Sequence, residues 1–278
     1  MIKVDFHLHT TCSDGILSPK EVVKRANDNC VKYLSITDHD TLSGIDDAIL
    51  EGQKYNIKII PGIELSTQYN NESIHILGFF TDEAYKNNDL IKSLNKIKNH
   101  RIIRAKSMVE KLKSEFKIDI NFEEILEKSG DTIARPHIAR AIIDAGHPYD
   151  FEYIFDNFIG KNCKAYVPTL KLDTIDGVNL LKKYNALTFL AHPKLISNSN
   201  ISEFLNIGLD GIEAIYYQNT TEENDKFVKI ATENNLLISC GSDFHGNIDS
   251  DSRHGDVGSV YIPNEYLNKL LNALNIDM

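Results

Sequence analysis

Three short segments, far apart in the chain, carry imidazole and carboxylate together: His7-Leu8-His9, Thr37-Asp38-His39-Asp40 and Ser242-Asp243-Phe244-His245. Each ends a stretch that reads as a buried β-strand. A strand sends residues i and i+2 to one face, so His7 projects with His9, and Asp243 with His245. Asp14, His39, Glu64, His75 and His192 also fall at strand ends or just beyond them. Nine donors of this kind are too many for a single ion. Clustered cations activate water and neutralise an anionic substrate, which is the chemistry of a metal-dependent hydrolase.

The elements that must position these donors alternate between strand and helix. Val4–His7, Tyr33–Ile36 and Ile57–Ile60 read as strands, and Pro19–Asn29 and Ser43–Tyr55 as the helices between them. Ser18, Pro19 and Glu21 form a helix start, and Thr41 or Ser43 can cap the next helix. Ser73–Phe80 reads as a further strand. From Asp82 to Cys163 the pattern turns to helix after helix, including a long charged one from about Asn87 to Phe116. The strand rhythm then returns with Leu187–Ala191, Gly211–Ile215, Leu236–Cys240 and Ser259–Ile262. This predicts an α/β fold in which residues 1–81 and 164–278 build a barrel and residues 82–163 form a helical insertion. In such a barrel the loops after the strands gather at one mouth. His75 is the exception, because it comes early in its strand.

The 278 residues, 42% of them hydrophobic, suffice for a full core. The four cysteines, Cys12, Cys30, Cys163 and Cys240, are scattered without CxxC spacing and read as reduced thiols. No basic-then-apolar leader opens the chain, and no apolar run approaches the roughly 18 residues needed to cross a bilayer. A cytoplasmic location is therefore expected. A formal charge of −10 argues against broad affinity for nucleic acid without excluding a nucleotide gripped locally.

The motifs His7-Leu-His-Thr-Thr-Cys-Ser-Asp-Gly15, Ile36-Thr-Asp-His-Asp-Thr41, Pro61-Gly-Ile-Glu64, His75-Ile-Leu-Gly78, Ala191-His-Pro193 and Gly241-Ser-Asp-Phe-His245 resemble, in order, those of the polymerase and histidinol phosphatase (PHP) superfamily. Ile133-Ala-Arg-Pro-His-Ile-Ala-Arg140 resembles more narrowly its stand-alone phosphoesterases that act on nucleotides and short RNA. The resemblance implies a distorted seven-stranded β/α barrel with a trinuclear centre and a metal-bound hydroxide as nucleophile. It implies that His7, His9, Glu64 and Asp243 hold one ion. Glu64 would bridge to a second held by His75 and His192, and Asp14, His39 and His245 would hold the third. Two to three manganese, iron or zinc ions are expected, with the metal left open. The implied substrate is a nucleoside 3′,5′-bisphosphate, a mononucleotide or the 5′ end of a short RNA.

Other residues carry lesser expectations. Asp38 and Asp40 flank His39 and either orient it, relay a proton or cap the turn. In the resembling subfamily the Arg-Pro-His motif faces the metals, so Arg135 would fork onto a phosphate and His137 would donate a second hydrogen bond. Lys164 is a further substrate-binding candidate or a solvated strand-end lysine. Tyr216 and Tyr217 either stack on a base or pack at the barrel rim. His100, His147 and His254 match no motif and read as ordinary polar or surface groups. Histidinol-phosphate phosphatase activity and a noncatalytic metal-binding module are the competing readings. No membrane association and no obligatory protein partner are expected.

Overall fold

The computed structural model describes residues 2–129, 133–168, 172–246 and 253–276. The first strand, β1 (Lys3–Asp5), leads to helix α1 (Pro19–Asp28), strand β2 (Val31–Ile36) and helix α2 (Ile45–Tyr55). Ser18 and Glu21 close a reciprocal capping box at the start of α1. Gly44 precedes α2 without a side-chain cap, so neither Thr41 nor Ser43 fills the role expected of it.

The third strand, β3 (Lys58–Tyr69), is far longer than the sequence suggested. It pairs in parallel with β2 through Pro61, and from Gly62 onward forms an antiparallel hairpin with β4 (Glu72–Phe80). Pro61 reads as a strand end, yet it sits on the last rung of one ladder just before the other takes over. Glu64 therefore lies within a strand, opposite Leu77, and not in the loop after one.

Four helices follow: α3 (Asn88–Phe116), α4 (Phe122–Lys128), α5 (Arg135–Asp144) and α6 (Phe151–Ile154). Two-residue β5 (Leu172–Asp173) pairs with β3. The chain then runs through α7 (Thr174–Lys183), β6 (Ala186–Leu190), α8 (Ile201–Phe204), β7 (Gly211–Tyr216), α9 (Thr221–Glu233), β8 (Leu237–Gly241) and α10 (Asn264–Ala273).

The strands neighbour one another in the order β1, β2, β3, β4, β6, β7, β8. The two ends meet: Phe6 N–H donates to Cys240 O at 3.1 Å, His9 N–H to Phe244 O at 2.9 Å and Asp243 N–H to His7 O at 3.0 Å. The result is a nearly closed seven-strand α/β barrel. The chain end of β8 already lies against β1 at this seam. Ser259–Ile262, expected as a strand, is irregular chain, and its alternation comes from burying Val257 and Ile262 while Ser259 faces water.

Three apolar clusters organise the packing, the smallest of them joining Val22, Val23 and Ala26 of α1 to Leu34, Ile36 and Phe244. One fills the barrel and its helical shell, with Phe6, Phe79 and Phe189 in edge-on and tilted contact at 6.0 and 5.1 Å. Each such ring contributes roughly 1.5–3 kcal/mol by leaving water. The second gathers Met108, Leu112, Ile125, Ile138 and Ile142 from α3–α5, with Ile154 of α6 and Phe158 just beyond it. Helix α3 belongs to these two: Leu90 and Leu94 pack on the barrel, and Ala105, Met108 and Leu112 on the second cluster. No described helix is long and apolar enough to cross a membrane.

Candidate metal centre

His7 and His9 continue from β1 with Leu8 buried between them. Leu8 is pinned by bridging to Phe244 and by accepting the Thr37 N–H at 2.9 Å. The two imidazoles lie together, ring centroids 5.2 Å apart. Asp40, His192 and Asp243 all leave their strands with φ of 55°, 27° and 55°. Left-handed backbone is uncommon outside glycine, and three cases at one mouth mark a place where side-chain aim outranks local comfort.

His75 loses its anomaly once β4 is seen to run antiparallel. The beginning of that strand lies at the end of the barrel where the parallel strands finish, so an early position is a mouth position.

All nine expected donors converge. Glu64 is central, with Oε2 3.4 Å from His7 Nε2, 3.2 Å from His9 Nε2 and 2.9 Å from His39 Nδ1. Its Oε1 lies 2.7 Å from His75 Nδ1 and 2.9 Å from His192 Nε2. Asp243 Oδ1 stands 3.3 Å from His7 Nε2 and 3.2 Å from His9 Nε2. Asp14 faces His9 at 3.6 Å, His245 at 3.5 Å and His39 at 3.8 Å. His245 Nδ1–H donates to Asp243 O at 2.7 Å, which leaves Nε2 free toward Asp14.

The donor set fits cations. His7 Nε2, His9 Nε2, Asp14 Oδ1 and His39 Nδ1 are buried without a hydrogen-bond partner. Orphaned polar atoms of this kind cost free energy unless something else satisfies them. Tetrahedral bonds of about 2.1 Å hold donors about 3.4 Å apart, and many of the separations here fall near that value. Three-membered and larger groupings recur around the mouth: His9 with Asp14, His39 and His245; His7 with His9 and Asp243; His7 with Glu64 and His192; His39 with Glu64 and His75.

Charge is mutually adjusted across the cluster. Burial would raise the Glu64 carboxyl, but His39, His75 and His7 override it and hold it well below the usual carboxylate range. Asp14 and Asp243 are lowered in the same way, against burial, by their histidines. Burial opposes charge on His9, yet the Asp243 and Glu64 carboxylates, each 3.2 Å from its Nε2, lift it to about 9. His75 goes the other way, pushed down to about 4 by burial despite Glu64. Three buried carboxylates that stay ionised suit a site built to receive positive charge.

Asp38 and Asp40 sit beside this cluster but do not touch the His39 ring. Asp38 accepts the Thr10 N–H and hydroxyl, each at 2.7 Å, and the Ser13 hydroxyl at 2.5 Å, so both its oxygens brace the turn that carries Asp14. Asp40 accepts the Ser66 N–H at 2.7 Å and a guanidinium N–H of Arg101. Among the described residues no hydrogen bond joins either carboxylate to the His39 ring. Tyr216 packs at the rim and donates to Asp243 Oδ2 at 3.0 Å, whereas Tyr217 is exposed.

Arg135 begins α5 with its guanidinium over the rings of Phe155 and Tyr166, at 5.4 and 5.9 Å. Among the described residues it has no carboxylate partner. Arg104 also lies over Tyr166, 5.7 Å from its ring centroid, and burial together with the nearby charge of Arg135 pushes it down to about 10. His137 accepts the Ala134 N–H at Nδ1, 3.0 Å, which leaves a neutral ring with its proton on Nε2. Burial lowers its pKa, opposed by Asp14. Lys164 is not drawn in: it is 75% exposed and faces Glu115 at 3.7 Å.

Several residues of the site escaped sequence reading. Glu213 is a fully buried carboxylate on β7 that contacts His7 and His192. A lone acid in the apolar run Gly211–Tyr216 was the available signal. Arg101 and Arg104 were hidden in a helix rich in basic residues. His254, read as a surface group, has Nε2 3.7 Å from Asp243 and its ring 4.1 Å from that of His245. No spacing rule reaches it.

A family model described as the PHP domain matches residues 5–166, more than half of the chain. The chain belongs to the PHP domain family. Over 250 residues it is 29% identical to a 5′-3′ exoribonuclease of Haemophilus influenzae, covering 87% of this chain and 90% of that protein. Over 253 residues it is 28% identical to a 3′,5′-nucleoside bisphosphate phosphatase of Chromobacterium violaceum, covering 88% of each. A solved structure from Bifidobacterium adolescentis, described as a metal-dependent phosphoesterase, superposes with a TM-score of 0.85 at 26% identity, covering 98% of this chain and 96% of that one. This PHP protein is a metal-dependent phosphoesterase, a hydrolase acting on ester bonds.

Proposed function

We propose that this PHP protein hydrolyses a phosphate ester of a nucleotide, either a nucleoside 3′,5′-bisphosphate or the 5′ end of a short RNA. The carrying observation is the convergence of nine metal-type donors at the barrel mouth; Arg135 and Arg104, which lack carboxylate partners among the described residues, are the cations available for a phosphate. The named activities of the two relatives support the same substrate class.

His7, His9, Glu64 and Asp243 would hold one ion, His75 and His192 with Glu64 a second, and Asp14, His39 and His245 a third. Bound cations lower the pKa of water toward 7 and neutralise phosphoryl oxygens. Against three carboxylates, two divalent ions leave a net charge of about +1 and three leave about +3, which attracts an anionic ester. Mixed imidazole and carboxylate ligation suits manganese, iron or zinc.

Residues 82–163 act as a helical insertion that walls the mouth and selects the substrate. Arg135 forks onto a phosphate, and His137 offers Nε2–H as a second donor. Tyr166, flanked by Arg104 and Arg135, fixes how the guanidiniums are presented.

Turnover of a panel with added manganese, zinc or iron tests the reading. A nucleoside 3′,5′-bisphosphate or a 5′-phosphorylated oligoribonucleotide should exceed histidinol phosphate by about 100-fold or more in kcat/KM. Preference for histidinol phosphate would overturn the substrate assignment, and loss of all phosphatase activity in metal-saturated protein would favour a noncatalytic module.

A further inference from the structure

Glu213 is a fully buried carboxylate beside the donor cluster, enclosed on β7. Its two oxygens serve two different histidines. Oε1 lies 2.9 Å from His7 Nδ1, and Oε2 accepts the backbone N–H of His192 at 2.7 Å. Among the described residues no lysine or arginine contacts it. A charge taken this far from water costs several kcal/mol unless it is paired, so its location demands a partner.

The consequences for the two histidines differ. Only a protonated Nδ1 can pair with a carboxylate, so Glu213 fixes His7 in the tautomer whose Nε2 lone pair points at Glu64 and Asp243, 3.4 and 3.3 Å away. His192 is caught by its backbone. The bond holds it at φ 27° and ψ 64°, and its ring then reaches Glu64 Oε1 at 2.9 Å. The two rings stack 5.7 Å apart with planes 23° from parallel. Space for this arrangement comes from Gly241, where a Cβ would lie 2.4 Å from Glu213 Oε1 and 2.2 Å from His7 Cβ.

We infer that Glu213 is the positioning residue shared by two adjacent ion sites, aiming His7 for one and His192 for the other and adding a fourth negative charge beneath them. This rests on the metal reading above. Outer carboxylates that bind the far nitrogen of a ligating histidine typically govern metal affinity by 10- to 100-fold. Glu213 differs from that pattern by acting on two ligands at once, so its loss should weaken two sites together.

The test compares wild type with Glu213→Gln and Glu213→Asp. The amide keeps the shape but loses the charge and one acceptor; aspartate keeps the charge at shorter reach. Metal content is measured after dialysis against buffered manganese, and the visible spectrum is recorded after cobalt substitution. Glu213→Gln should bind manganese about 10- to 100-fold more weakly, lose more than one equivalent at limiting metal and alter the cobalt bands. Glu213→Asp should recover part of the affinity.

Unchanged manganese affinity and cobalt spectrum in Glu213→Gln would overturn the inference. A Glu213→Gln chain that fails to fold even in saturating manganese would assign the residue to the fold alone, which also overturns it. If wild type itself takes up no metal, the metal reading fails first, and the two failures are thereby distinguished.

Discussion

Arg101, midway along α3, reaches down to Asp40, the residue after His39, and also donates to Ser66 Oγ at 2.7 Å. The helical segment is thus seated on the barrel by a buried ion pair beside the donor cluster. Removing the cation leaves Asp40 buried and uncompensated. Arg101→Met should cost about 3 kcal/mol in urea unfolding. Adding Asp40→Asn should return part of that loss, and strict additivity of the two changes would contradict a direct coupling.

Asp243 faces both His7 and His9 through one oxygen and Tyr216 through the other. Asp243→Ala should reduce phosphoesterase turnover below about one thousandth of wild type while circular dichroism shows the fold retained. Dialysis of wild type against a chelator should abolish activity, and added manganese should restore it. Near-normal rates in Asp243→Ala would remove that residue from the reaction, and near-normal rates after chelation would remove the metal.

Arg135 and Lys164 are separated by their surroundings. Arg135→Ala should raise KM about 10-fold with kcat little changed, because its guanidinium is partly buried and lacks an acid to hold it. Lys164→Ala should leave both constants within about twofold, as expected of an exposed side chain paired with Glu115. Steady-state kinetics on the preferred nucleotide decides both.

Glu72, at the start of β4, accepts the backbone N–H groups of Ser197, Asn198 and Ser199 at 2.6, 2.9 and 2.8 Å. It thereby ties down the loop that follows His192. Burial would raise this carboxyl, but those donors dominate and bring it down to about 2 from an ordinary 4.5. A carboxyl with a depressed folded pKa stabilises fully above its unfolded value and loses that contribution as pH falls toward the folded one. Glu72→Gln should therefore be less stable by on the order of 2 kcal/mol at pH 7. The gap from wild type should narrow below pH 4.5; a constant gap from pH 7 to pH 3 would show that ionisation of Glu72 is irrelevant.

The barrel and its donors were legible because both follow short-range rules. Strand pairs such as His7 and His9 announce themselves by alternation, and ordered motifs marked Glu64, His75 and His192. What escaped depends on contacts distant in sequence. The reversal of β4, the lack of a strand at Ser259–Ile262 and the exclusion of Lys164 are set by which edges and faces neighbours already occupy. Arg101, Glu213 and His254 have no local pattern, since their partners lie 61, 206 and 11 positions away respectively.

Barrel closure brings residues from opposite chain ends together, with His7 and His9 on one side of the seam and Asp243 and His245 on the other. An ion gripped between them would rivet the first strand to the last. In such a protein, cofactor loss is also a loosening of the outer cylinder, so resistance to heat and catalytic competence should rise and fall together as metal is titrated in.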